Sequence, residues 1–217
     1  MFYNSLATSW RYTGPPVDPA VERFHKSLPD YTITPLISLP QVARRLGLGH
    51  VLLKDESSRL GLPAFKILGA SWATFKAVAA QCNMPLSTSL EELGTMAQKE
   101  NITLVTCTEG NWGRAVARMA KYLQIKAVIL VPDFMDEATQ RKIQDEGADV
   151  VVVEGDYDFS IAKAREMAEN GGLLIMGAYP NTATFLVANF DAKDVAWVGY
   201  EEVPEVNYTA KLLGNWG

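Results

Sequence analysis

Four short apolar runs recur through the middle of the chain, and they narrow the choice of fold more than any other feature. "ITLVTC" begins at Ile102, "KAVILV" at Lys126, "DVVVVE" at Asp149 and "LLIM" at Leu173. Three segments with helical patterning separate them, 113–124, 136–147 and 158–170. β-branched runs with apolar interiors, alternating with amphipathic helices, indicate parallel strands covered on both faces. The spacing therefore predicts an α/β fold with a doubly wound parallel sheet. Asp156 or Asp158 suits the start of the third helix, and Gly171 suits the left-handed position after its end.

A different block precedes this unit. It has a proline-punctuated entry, a short helix over 39–46, a strand over 51–54, a turn-rich loop and a longer helix from near Ala64. Residues 82–100 read as a linker with one helix, and a further helix-like segment follows Pro204. The organisation expected is an N-terminal part (1–100), a βαβ Rossmann-like unit (101–190) and a return segment (191–217).

A chain of 217 residues can bury a core, and its net charge of −5 without a basic run argues against a nucleic-acid surface. Cys82 and Cys107 stand apart, with no CxxC and no histidine cluster, so neither a metal site nor a disulfide framework is signalled. Cys107 lies in an apolar run and reads as a core thiol. The N-terminus lacks the pattern of a signal peptide, and the charge-free stretch 171–190 is interrupted by Pro180 and Asn181. A cytoplasmic protein with no membrane span is the expectation, with 171–190 as core or interface.

In open α/β sheets, ligands sit outside the carboxyl ends of the strands. The turn after Cys107, "TEGNWGRA", is such a place, and its backbone N–H groups at a helix start favour an anion or a polar oxygen. Gly110 and Gly113 could equally serve only to allow a tight turn. Lys66, in "AFKILG", has apolar neighbours, and desolvation there would make its amine a better nucleophile. A solvated surface lysine is the simpler reading of that residue alone. "KDESSRLG" could hold a substrate through Asp55 and Ser57, or those side chains could cap their own loop. Asp194 by itself is a surface carboxylate. His25 and His50 stand alone and are assigned no catalytic part.

Four stretches in order, "YTITPL", "LLKDESSRLGLPAFKILGA", "LVTCTEGNWGRAVA" and "DVAWVGYEEVP", resemble the fold-type II pyridoxal-phosphate enzymes, which share a tryptophan synthase β-like architecture. Within that family the chain is most similar to the diaminopropionate ammonia-lyases, over most of 24–170 and again at 193–204. The resemblance implies that Lys66 forms a Schiff base with pyridoxal phosphate and that Asn111 contacts the cofactor ring, with Gly110 and Gly113 in the same turn. It implies Glu109 and Asp194 as acid–base groups for eliminating ammonia from a small diamino acid. A homo-oligomer, such as a dimer, follows because an unpaired sheet edge needs covering.

Three departures from the family pattern shape the expectation. The family turn reads Asp-Gly-Asn-His-Gly-Arg, whereas Glu109 and Trp112 stand here. An indole cannot shuttle protons, yet it can stack on a flat ligand, so Trp112 is grouped with Asp55 and Ser57 as substrate-binding. The stretch 171–190 is less polar than the family segment. No glycine cluster follows Asp194, where the family places its phosphate-binding loop. That implies a C-terminally truncated member with a weakened or lost hold on the cofactor. The alternatives are a lyase completed by a partner chain, a cofactor-free cyclase or condensing enzyme, and an interaction remnant.

Overall fold

Asp18 accepts a hydrogen bond from the Ala20 amide and Pro19 fills the first helical position, so helix α1 (Pro19–Ser27) begins there. A computed structural model describes residues 18–176 and the backbone of strands 184–188 and 196–199. After α1 come β1 (Leu36–Ser38), α2 (Pro40–Leu46), β2 (Leu52–Lys54), a 3-10 turn (Arg59–Gly61), α3 (Lys66–Gln81) and α4 (Leu90–Lys99). The repeating unit follows as β3 (Thr103–Cys107), α5 (Asn111–Leu123), β4 (Lys126–Pro132), α6 (Glu137–Gln144), β5 (Asp149–Val153), α7 (Tyr157–Glu169) and β6 (Leu173–Ile175). β7 (Thr184–Ala188) and β8 (Ala196–Gly199) complete the order.

The main sheet runs β5-β4-β3-β6-β7-β8. β5, β4, β3 and β6 are parallel, as the alternation of strands and helices requires. β7 and β8 extend them in antiparallel fashion. The link over 176–183 is too short for the crossover that a parallel neighbour of β6 would need. Asp156 caps α7 through the amides of Asp158 and Phe159, and Gly171 after it holds φ 102°, as the sequence indicated.

Side chains alternate across this sheet. Leu104, Ile129, Leu173 and Ile175 pack with α3, α4 and α5 in the larger core. Val105, Cys107, Leu130 and Leu174 face the opposite way, onto Ala164 and Ala168 of α7. Burial pushes the Cys107 thiol up to about 11, which fits an inert core group.

The N-terminal block packs differently. β1 and β2 form a separate two-stranded antiparallel ribbon, with Ile37 opposite Leu53. Leu36, Ile37, Leu52 and Leu53 are all exposed. α1 joins the larger core through Phe24, whose ring lies 5.2 Å from Trp72 and 4.6 Å from Phe75 of α3. Among the described residues, no helix is long and apolar enough to cross a membrane.

Candidate active site

Strand order reverses between β3 and β6. From β3 the chain steps outward to β4 and β5, then returns to the other side of β3. α5 and α6 cover one face and α7 the other, on the two sides of this seam. Such a switch point leaves a crevice at the carboxyl ends of the strands. The loop after β3 is the Thr108–Gly113 turn.

Thr108 organises that turn. Its hydroxyl accepts hydrogen bonds from the amides of Gly110 (2.9 Å) and Gly113 (3.0 Å), satisfying donors at the start of α5. Gly110 adopts φ 155° and ψ −110°, a conformation almost reserved for glycine. A β-carbon at Gly110 would meet nothing within 4 Å, so its backbone borders open space. Gly113 is constrained by contact instead: a β-carbon there would lie 2.3 Å from Thr108 Cγ2 and 2.7 Å from Ile129 Cγ2. The second glycine therefore lets α5 sit directly on β4.

Glu109 and Asn111 flank Gly110 with exposed side chains at the positive end of the helix. Trp112 turns the other way. Its ring is 7% exposed, and Nε1 donates to Thr106 Oγ1 (3.1 Å) and to the Ile175 carbonyl (3.4 Å). The indole belongs to the larger core and does not offer its face to solvent, contrary to the stacking surface expected of it. An amphipathic ring with one donor goes inward when strand ends supply acceptors.

Lys66 is the first residue of α3. Apolar enclosure of its amine is not found among the described residues, since Lys66 is exposed and Phe65 beside it is 65% exposed. Its apolar neighbours diverge around the helix: Ile67 is buried while Phe65 points outward. Asp55 accepts from the Ser57 amide (2.9 Å), and hydrogen bonds from Ser57 hold its carboxyl below the usual range. The pair thus closes its own loop. Asp194 and the helix-like segment after Pro204 lie outside the described residues.

Two polar clusters escaped the sequence reading. Arg59 grips Glu56 through both oxygens (2.6 and 2.7 Å) and also donates to Thr34 Oγ1 (2.6 Å). Deeper still, Glu146 is 4% exposed and is bonded by Arg114 (3.1 Å) and by two nitrogens of Arg118. Arg118 also donates to the Leu60 carbonyl (2.9 Å), tying α5 to the turn ahead of α3. Burial alone would raise the Glu146 carboxyl, but Arg118 and then Arg114 more than offset it, and the group sits low. Arg114, part of the turn motif, therefore faces a buried carboxylate.

The family described as "Pyridoxal-phosphate dependent enzyme" matches residues 28–206. Diaminopropionate ammonia-lyase of Salmonella typhimurium is 39% identical over 186 residues, covering 83% of this chain and 42% of the relative. The Escherichia coli protein of the same name is 31% identical over 182 residues, covering 84% and 42%. Its selenomethionine holo crystal structure superposes with a TM-score of 0.69 at 32% identity, over 74% of this chain and 42% of that one. The chain thus spans about two-fifths of the length of these relatives.

Proposed function

The chain belongs to the family of pyridoxal-phosphate dependent enzymes, and from that premise we propose that it carries the amine and an acid–base side of a lyase site for a small amino-acid-derived substrate. Lys66 and Asn111 would hold the cofactor beside the open backbone of Gly110, while Gly113, buried with its amide given to Thr108, seats α5 beneath them. Open space beside Gly110 and the exposed amide of Asn111 at the start of α5 fit a planar, anionic ring. Bound there, pyridoxal phosphate supplies an electron sink that lets a proton leave the α-carbon of an amino acid.

The chain's own residues supply the rest. The Lys66 amine anchors the cofactor and moves a proton at Nζ. Glu109 holds or delivers a proton at its carboxylate, reaching one methylene further than an aspartate would. Asp194 is proposed as the second acid, on family resemblance alone. Elimination of ammonia from a diamino acid is the reaction this set suits, by analogy with relatives whose names state it.

The observation that carries this reading is the turn itself: a glycine-only backbone conformation, flanked by an acid and an amide, at a sheet switch point. A visible absorption spectrum with added pyridoxal phosphate tests it. A new band that Lys66→Ala abolishes and Glu109→Gln retains supports the assignment; a spectrum identical to free cofactor rejects it. The exposed apolar residues of β1 and β2 favour association with a second chain. Sedimentation as a monomer, in protein that forms the band, would count against that addition.

A further inference from the structure

The seam between β3 and β6 is paired over a short length. Leu104 pairs with Leu173 and Val105 with Leu174, and among the described residues the register goes no further. Both strands continue past that point toward other neighbours. Thr106 and Cys107 pair with Ile129 and Leu130 of β4, while Ile175 pairs with Val187 of β7. One residue beyond the last rung, the two strands are joined by a side chain. The indole N–H of Trp112 reaches Thr106 Oγ1 on β3 and the Ile175 carbonyl on β6.

We infer that Trp112 is a positioning residue whose indole N–H stands in for the missing rung between β3 and β6, fixing the width of the crevice beside Glu109 and Asn111. Its place in the chain makes this effective. Trp112 follows Asn111 directly and precedes Gly113, which is locked against Ile129, so a ring anchored between strand ends sets the first turn of α5 from beneath. Thr106, Trp112 and Ile175 are all buried, so the bond is made away from competing water. A donor-only ring suits two oxygen acceptors and adds no titratable group at the seam. The inference rests on the proposed cofactor site for its functional consequence, but not for the tie itself.

Amide hydrogen exchange and cofactor titration together test it. Trp112→Phe keeps an aromatic filler and removes the donor; Thr106→Val removes one acceptor at nearly constant shape; Thr106→Ser restores it. In Trp112→Phe, exchange at 109–113 and at 173–175 should rise roughly fivefold, the loss expected of one net hydrogen bond. It should rise less in Thr106→Val, stay near wild type in Thr106→Ser, and remain unchanged in β4 for all three. Affinity for pyridoxal phosphate should weaken by a similar factor in Trp112→Phe and be retained in Thr106→Ser. Unchanged exchange in Trp112→Phe overturns the tie, as does a uniform rise that includes β4, which would mark mere packing. Loosened strands with undiminished cofactor affinity overturn the positioning role. If the wild-type chain binds no pyridoxal phosphate, the cofactor reading fails, and the tie stands or falls on exchange alone.

Discussion

Glu146 is the strongest single handle on how this fold is held. Glu146→Gln preserves shape and removes the charge that two guanidinium groups face. Breaking a buried ion pair from one side typically costs about 3–5 kcal/mol, because the partner stays desolvated and unpaired. Here Arg118 is 13% and Arg114 22% exposed, so both regain some water. That moves the expectation to about 2–3 kcal/mol. For a domain of this size the loss is a fall in melting temperature of about 4–12 °C. Urea denaturation followed by circular dichroism gives the free energy directly, and an unchanged slope would show that only stability moved. Adding Arg118→Met should recover part of the loss, since fewer charges remain unpaired. A Glu146→Gln protein within about 0.5 kcal/mol of wild type, the range of an ordinary surface substitution, would mean that this buried charge cluster does not hold the fold.

Two further perturbations follow from the same geometry. Gly113→Ala drives a methyl group to 2.3 Å from Thr108 Cγ2, so it should cost about 1–3 kcal/mol in urea denaturation; a neutral result would mean that α5 can lift off β4 freely. Acid stability should decline in two stages. Burial lowers the affinity of His25 for a proton, assisted by the Arg59 charge and opposed by its bond to the Leu68 carbonyl. The unfolded chain then binds that proton more readily, so this contribution is complete above about 6.5 and declines as pH falls below it. Glu56 and Glu146, held low by their arginines, keep their contribution above about 4.5 and lose it below. A melting-temperature profile in which His25→Gln leaves the upper stage intact would contradict the assignment.

The parallel unit was legible because its signals are local. β3, β4, β5 and β6 each announce themselves as apolar runs, and Asp156 and Gly171 punctuate α7 within a residue or two. The loop closure by Asp55 and Ser57 was open to reading for the same reason, whereas the Asp18–Pro19 start of α1 carried a local signal that went unread. What escaped depends on distant partners. Arg118 and Glu146 are separated by 28 positions, and each alone looks like a solvated charge. The Trp112 ring turns toward acceptors on Thr106 and on Ile175, the latter 63 positions away, which no spacing in the turn encodes. Apolar neighbours of Lys66 suggested enclosure, yet the first turn of α3 splits them between core and surface.

The proposed function requires Lys66 to be the chain's reactive amine toward a phosphorylated aromatic aldehyde. Incubation with pyridoxal phosphate, borohydride reduction and peptide mapping by mass spectrometry tests it most directly. Exposed Lys99 and Lys121 serve as internal standards for an ordinary surface amine. Label concentrated on Lys66 at substoichiometric cofactor is the expected result. Label spread evenly over Lys66, Lys99 and Lys121 would contradict it.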